Sequence, residues 1–339
     1  MKEALLYSTS DDNIVSCKLC AHGCSIAEGK SGACLVRMNR AGTLYSQVYG
    51  KLIASNADPI EKKPLYHVKP GSFSYSVATV GCNFRCRWCQ NWEISQMPLE
   101  NGTIAGRDQS PEETVRKAIT AGCASIAYTY TEPTIFFEYA FDTAKAAHAK
   151  GLLNVFVTNG YMTREALEMI APYLDAANVD LKSFRDETYR RGTGARLEPV
   201  LESMKSMKEL GIWVEVTTLI VPGMNDDMDE IRDAAQFIAN ELGPETPWHL
   251  SRYHPSYRYL DRGATPVETM QAAARIGTDA GIRYVYLGNL AVDLDTRCHE
   301  CGEDLIRRQG FRVSRNSITS EGSCPNCGTP VAGVDMGSE

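Results

Sequence analysis

Four times along this chain a helix-like segment ends at a glycine and a β-rich run follows at once. The junctions are Ala121-Gly122 before Ser125 to Thr129, Lys150-Gly151 before Leu152 to Thr158, Leu210-Gly211 before Ile212 to Val221, and Ala280-Gly281 before Ile282 to Leu287. Glycine is the usual residue just past a helix end, because the chain turns there through positive φ. Two helix-like segments also carry start signals. Ser110-Pro111-Glu112-Glu113 and Thr265-Pro266-Val267-Glu268 each combine a capping box with proline at the first helical position. Apolar runs at Ala177 to Leu181 and Trp248 to Ser251 fill the gaps, and Phe73 to Gly81 supplies a first strand. This is a βα repeat, which requires a parallel sheet with helical cover. Its units, running from about 73 to 290, predict an α/β fold built on a partial or full (β/α) barrel. A doubly wound open sheet is the competing arrangement. In either case chemistry belongs at the C-terminal ends of the strands.

Composition narrows the class. The chain has 339 residues and a net charge of −7, which argues against a non-specific nucleic-acid binder. No run approaches the roughly 18 apolar residues that a membrane-spanning helix needs, so no membrane association is expected. The Met1 to Tyr7 start has no long apolar core and no small-residue cleavage site, so a secretory signal is not expected and the cytoplasm is the expected compartment.

The 12 cysteines are the anomaly, because they are grouped. Four lie at Cys17, Cys20, Cys24 and Cys34. Three lie at Cys82, Cys86 and Cys89. Four lie at Cys298, Cys301, Cys324 and Cys327. Only Cys123 stands alone, and it reads as a buried small hydrophobe. Grouped thiols without a secretory signal point to metal or iron–sulfur ligation rather than disulfides. The groups divide the chain into a Cys-rich module over 1–72, the repeat over 73–295 and a second small module over 296–339. Neither appendage has the apolar content for a large core of its own, so both are expected to be metal-stabilised.

The central group has the spacing C-x3-C-x2-C and directly follows the first strand. Three thiolates on a short loop can hold three irons of a [4Fe–4S] cluster and leave the fourth iron open to a ligand. A zinc knuckle short of one ligand, or buried thiols, are the plainer alternatives. The C-terminal group, C-x2-C-x22-C-x2-C, has each cysteine pair followed by glycine. It reads as a zinc ribbon with a closed four-thiolate site, and a rubredoxin-like iron site is the runner-up. Residues 298–339 hold 4 Arg against 6 acidic residues, so the ribbon carries no basic stripe for nucleic acid. The N-terminal group, C-x2-C-x3-C-x9-C, suits zinc or a second iron–sulfur cluster, with free thiols as the alternative.

The motif Cys82-Asn83-Phe84-Arg85-Cys86-Arg87-Trp88-Cys89 resembles that of the radical SAM superfamily. The resemblance implies a [4Fe–4S] cluster whose open iron chelates S-adenosylmethionine (SAM). One electron then cleaves SAM to methionine and a 5′-deoxyadenosyl radical, which takes hydrogen from substrate. It also implies a low-potential electron donor. Trp88 matches the family's aromatic position near the adenine. Tyr130-Thr131-Glu132-Pro133 stands where the family usually carries Gly-Gly-Glu-Pro. By that match Glu132 faces the SAM amino group, but the two glycines are replaced. Thr158-Asn159-Gly160 and Asp180-Leu181-Lys182 resemble strand ends of pyruvate formate-lyase activating enzymes. Asn159 is thereby a SAM-site residue, and Asp180 and Lys182 contact the ribose or the methionine part of SAM. His254, in Arg252-Tyr253-His254-Pro255, matches a late histidine near the adenosine. Val157 stands where the activases usually have Asp, so the cation site that the Asp supports is not expected here.

Over almost the whole chain the sequence is similar to the AmmeMemoRadiSam-system radical SAM enzymes. The similarity runs through Gln90-Asn91, Thr129 to Thr134, Val157 to Tyr161, Asn178 to Lys182, Pro247 to Leu250 and the ribbon. It implies association with Memo-like and AMMECR-like proteins and leaves the substrate open. Within the enzyme reading, a tailoring enzyme acting on a small molecule or a partner protein stands beside a glycyl-radical-enzyme activase. An iron–sulfur electron-transfer or metal-binding protein is the non-enzymatic alternative. The Glu-Pro, Asp-Leu-Lys and Tyr-His-Pro strand ends argue against it, because an electron carrier needs no SAM pocket.

Overall fold

The structure is a computed structural model that describes residues 1–337. Its centre is one eight-stranded sheet. In chain order the strands are β1 (Ala54–Pro59), β2 (Phe73–Ala78), β3 (Ser125–Tyr128), β4 (Leu153–Thr158), β5 (Ala176–Asp180), β6 (Trp213–Ile220), β7 (Trp248–Arg252) and β8 (Val285–Gly288). Strands β2 to β8 are parallel and adjacent in chain order, while β1 pairs antiparallel with β2. That sequential order excludes the doubly wound alternative, in which the order reverses at a switch point. Strands β1 and β8 do not pair, so the sheet is a partial barrel rather than a closed one.

The helices α1 (Pro111–Thr120), α2 (Phe137–His148), α3 (Arg164–Ile170), α4 (Asp186–Thr193), α5 (Glu198–Glu209), α6 (Met228–Phe237) and α7 (Val267–Asp279) fall between the strands. The four junction glycines take φ of +66°, +73°, +79° and +94° at Gly122, Gly151, Gly211 and Gly281. At α1 the Ser110 hydroxyl accepts from Glu113 N at 3.2 Å, as its capping box requires. The Thr265 signal reads differently. Helix α7 begins at Val267 with Pro266 as its cap residue and no side-chain cap. Thr265 Oγ1 instead donates to Ile220 O at 2.6 Å and accepts from Tyr253 N, tying the end of β6 to the loop after β7.

Strand alternation sends one side-chain set outward to the helices and the other inward. The inward set is layered. Ile60, Leu65 and Val68, upstream of β2, pack on Ala127, Val155 and Ala176 near the strand starts. Beside them lies a buried polar network. Glu215 accepts from Tyr66 N, His67 N, Trp213 Nε1 and, at 2.6 Å, His249 Nε2. His67 Nδ1 donates to Ala332 O at 2.7 Å, which assigns its Nε2 as the acceptor from Tyr286 OH at 2.8 Å. Arg308 Nη1 donates to Thr296 Oγ1, which meets Tyr286 OH at 2.7 Å. Burial favours the neutral ring at His67, and its bond to the Ala332 carbonyl ties the C-terminal module to the barrel floor. That module is an antiparallel sheet of Thr296–Arg297, Asp304–Gln309 and Arg312–Asn316 over its own small core.

Burial lowers the His67 pKa from 6.5 to about 4. The unfolded chain therefore takes up a proton between those values that the folded chain refuses. Stability should fall with pH from about 6.5 towards 4, by at most ~1.4 kcal/mol per pH unit for this one group. Urea unfolding at several pH values, compared with His67→Gln, tests this. The difference in slope should appear only below about pH 6.5, and identical slopes would remove His67 from the pH response.

Among the described residues no helix is long and apolar enough to cross a membrane.

Candidate active site

The C-terminal ends of the strands enclose a cavity of about 270 Å³. Cys82, Cys86 and Cys89 lie on its wall with Trp88, Glu132, Asn159, Asp180 and Lys182. The loop that carries the thiols leaves β2 at Ala78 and is shaped by α4. Arg85 N donates to Thr193 O at 2.7 Å and Arg87 N to Gly192 O at 3.2 Å, so the last carbonyls of that helix are satisfied by the cysteine loop. Gly192 also gives Trp88 its place. A Cβ there would lie 2.7 Å from the indole, so glycine is what lets the ring seat between helix and cavity.

The thiols accept donors already present. Phe84 N reaches Cys82 Sγ at 3.3 Å, and Ser95 Oγ lies 3.2 Å from Cys89 Sγ. Burial lifts the Cys82 thiol well above its ordinary pKa and the Cys86 thiol to about 12, so metal binding there must release protons.

Glu132 holds the neighbouring turn. Its Oε1 accepts from Thr158 Oγ1 at 2.7 Å and Thr134 Oγ1 at 2.6 Å, and its Oε2 from Asn159 N at 2.8 Å. Burial raises its carboxyl above the ordinary range against these bonds, and Oε2 retains a lone pair for a further donor. Asn159 Nδ2 donates to Asn83 Oδ1 at 2.8 Å, which fastens the end of β4 to the cysteine loop. Across the cavity Lys182 Nζ pairs with Asp180 Oδ2 at 2.7 Å. Burial opposes the charged amine, but the Asp180 carboxylate beside it outweighs that, and the Lys182 pKa is raised.

The segment without the two glycines still makes a left-handed turn, at Tyr130, with φ +63°. A residue other than glycine is costly there. Tyr130 is held by Asn91 Nδ2 on its carbonyl at 2.8 Å, and by a hydroxyl that donates to Asp58 and meets Lys63 Nζ at 3.3 Å. His254 is not brought to the cavity. It is exposed, while its neighbour Tyr253 turns inward and donates to Tyr259 O. Sequence reasoning also missed Lys62, Lys63, Tyr130 and Thr217, which line the wall. The Lys63 ammonium pairs with Asp58 at 2.9 Å, and burial lowers its pKa to about 8. No local signal marks Lys62 and Lys63, because they reach the cavity only through the antiparallel β1, which lies outside the βα repeat.

The wall fits a cluster and a polar ligand. Among the described residues only the Cys298, Cys301, Cys324 and Cys327 sulfurs form a set of three or more ligand atoms all within 4.8 Å of one another. The three sulfurs of the cysteine loop are therefore spread too widely for a single ion but border one cavity together. Thr217 Oγ1, also on the wall, is buried and has no hydrogen-bond partner among the described residues.

Comparison with known proteins agrees. A sequence model of the Radical SAM superfamily matches residues 76–238. An uncharacterized protein of Methanocaldococcus jannaschii is 44% identical over 334 residues, covering 98% of this chain and 99% of that one. The isethionate sulfite-lyase activating enzyme of Oleidesulfovibrio alaskensis is 24% identical over 251 residues, covering 54% of this chain and 80% of that one. Streptococcus suis SuiB, solved with S-adenosylmethionine, shares the fold at a TM-score of 0.51 and 13% identity, over 68% of this chain and 53% of that one. A sequential parallel sheet, a three-cysteine loop at its mouth and a family match running from β2 to α6 agree with one another, and the chain belongs to the radical SAM superfamily.

Proposed function

We propose that Cys82, Cys86 and Cys89 hold the [4Fe–4S] cluster that the family implies, and that SAM occupies the cavity above β3 to β6. The observation that carries this is the meeting of the three thiols with Glu132, Asn159, Asp180 and Lys182 around one cavity. When bound, cluster and SAM supply the 5′-deoxyadenosyl radical that abstracts hydrogen from substrate. The Lys182 ammonium would orient the methionine carboxylate and Asp180 the ribose hydroxyls, both by charge-assisted hydrogen bonds. Glu132 would take the SAM ammonium on its spare lone pair, and Trp88 would border the adenine. Asn159 acts through Asn83, holding the cysteine loop in register. His254 has no part in this proposal.

The substrate class we favour is a small molecule or a partner protein other than a glycyl-radical enzyme. The modules at 1–72 and 296–339 support this, since the compact activases lack them. The activase reading stands second, favoured by relatives named as activating enzymes. We take the partners to be Memo-like and AMMECR-like proteins with a low-potential electron donor, and the setting to be the cytoplasm. For the C-terminal group we propose zinc. Its Sγ to Sγ distances of 3.6 and 3.7 Å match tetrahedral thiolate ligation at about 2.3 Å per bond. Iron would fit the same four thiolates.

The test is 5′-deoxyadenosine formation by anaerobically reconstituted, reduced protein given SAM. Wild type should form it, and Cys86→Ala should lose it together with the change that SAM makes in the cluster's spectrum. An intact, reducible cluster that binds no SAM would overturn the assignment.

A further inference from the structure

The N-terminal thiols are the one cysteine group that neither the SAM site nor the ribbon uses. Cys17, Cys20, Cys24 and Cys34 come together around a single small cavity, closed on the barrel side by Ile135. Cys17 and Cys34 are buried, and Cys20 and Cys24 are half-buried. No three of these sulfurs lie within 4.8 Å of one another, in contrast to the compact ribbon set. A tetrahedral zinc ion with bonds of about 2.3 Å needs the compact arrangement. A cube of four irons needs the wider one, with one thiolate per iron.

Two further features point to an acceptor-rich group in that cavity. Arg37 lines it and is 2% exposed. Its Nη1 is taken by Glu138 at 2.7 Å and its Nη2 by Leu5 O at 2.7 Å, yet its Nε–H is buried with no partner among the described residues. A buried donor left unpaired is costly, so a sulfide or thiolate acceptor beside it resolves the deficit. Ala33 N, at 3.4 Å from Cys24 Sγ, already donates to one of the thiols.

The group is also joined directly to the SAM-site loop. Arg85 donates from Nη2 to Ala33 O and from Nη1 to Cys82 O at 2.8 Å. His22 Nε2 donates to Asn83 O at 2.8 Å. Gly81, next to Cys82, comes so close that a Cβ there would sit 3.4 Å from Cys34 O.

We infer that Cys17, Cys20, Cys24 and Cys34 bind a second [4Fe–4S] cluster that relays electrons to the SAM-site cluster. Four protein thiolates leave no iron open to a substrate, so electron exchange is the chemistry left to it. One electron from a low-potential donor protein takes the cluster from 2+ to 1+. Passing that electron to the cluster of the Cys82 loop returns it to 2+, with no bond made and no proton moved. The binding claim stands on this chain's own thiols and Arg37. The relay claim rests on the SAM-site reading above.

The test uses the full chain, reconstituted anaerobically with iron and sulfide. Acid-labile sulfide is the readout, because neither zinc nor a rubredoxin-like iron contributes any. Wild type should hold about eight sulfides per chain. The Cys82→Ala/Cys86→Ala/Cys89→Ala protein should hold about four, with an electron paramagnetic resonance signal on reduction that SAM leaves unchanged. Cys20→Ala/Cys24→Ala, at the half-buried pair, should also hold about four, with a signal that SAM alters. In that second variant, reduction of the SAM-site cluster by a reduced flavodoxin or ferredoxin should slow at least tenfold. Sulfide-free triple variant protein, with or without bound zinc, would overturn the second cluster. An unchanged reduction rate would overturn the relay. Failure of the SAM-site reading shows separately, as a wild-type signal that SAM does not alter.

Discussion

Glu215→Ala will lower the stability of the folded chain by about 3–5 kcal/mol. Its carboxylate sits fully buried and is held below its ordinary pKa, because the hydrogen bonds from the His249 side chain and the His67 backbone N–H outweigh the burial that opposes its charge. Removing it leaves four donors, Tyr66 N, His67 N, Trp213 Nε1 and His249 Nε2, without their acceptor. Each orphaned donor carries a desolvation penalty. Two of them hold the segment that receives Arg308 and Ala332 of the C-terminal module, so docking of that module should loosen as well. Urea unfolding of metal-loaded protein measures the loss, and a change under about 1 kcal/mol would show the network to be dispensable. Glu215 lies near the start of β6, while Thr217 and Leu219 further along the strand reach the cavity. Variant protein that folds should therefore bind SAM as wild type does, in keeping with a barrel whose floor serves stability and whose mouth serves chemistry.

Lys182→Met will act at the opposite end. The cluster should load normally, since the three thiols are untouched. SAM should bind about 10- to 100-fold more weakly, the effect of losing a hydrogen bond to a charged group worth about 1.5–3 kcal/mol. The loss is sharpened because Asp180 stays behind without its partner at 2.7 Å, facing a ligand that carries its own carboxylate. Titration of SAM into the loaded variant, followed by the cluster's spectral response, gives the affinity. Unchanged affinity with unchanged iron content would show that Lys182 does not touch SAM.

Much of this was legible from local chemistry. Glycine after a helix means a left-handed turn wherever it occurs, so the four junctions located the βα units. Strands β3, β4, β6 and β8 fall where apolar runs follow those turns, and the runs at Phe73, Ala177 and Trp248 mark β2, β5 and β7. The C-x3-C-x2-C spacing marked the site, and the matched strand ends named Glu132, Asn159, Asp180 and Lys182, all of which meet at one cavity. Parallel strands in a barrel place their C-terminal ends together whatever the intervening helices do, which is why motifs spread over about 100 residues could be assembled from their positions alone.

What escaped depends on contacts between segments distant in the chain. His254 stands two residues past the end of β7, and there the alternation of side chains sends Tyr253 inward and His254 to solvent. Tyr130 adopts a backbone angle usually left to glycine because Asn91, Asp58 and Lys63 hold it. Strand β1 pairs antiparallel and so carries no βα signature, yet the turn after it brings Lys62 and Lys63 to the cavity wall. The sequence by itself determined the class of fold, the thiol groups and the strand ends that carry the chemistry, because turn preference and thiolate ligation act within a few residues. Only the tertiary structure decided that the barrel stays open and that the network of Glu215, His67 and Arg308 closes its floor. Only there, too, do the Cys17 to Cys34 thiols come against the Cys82 loop, because hydrogen bonds across tens to hundreds of residues leave no periodic trace in the chain.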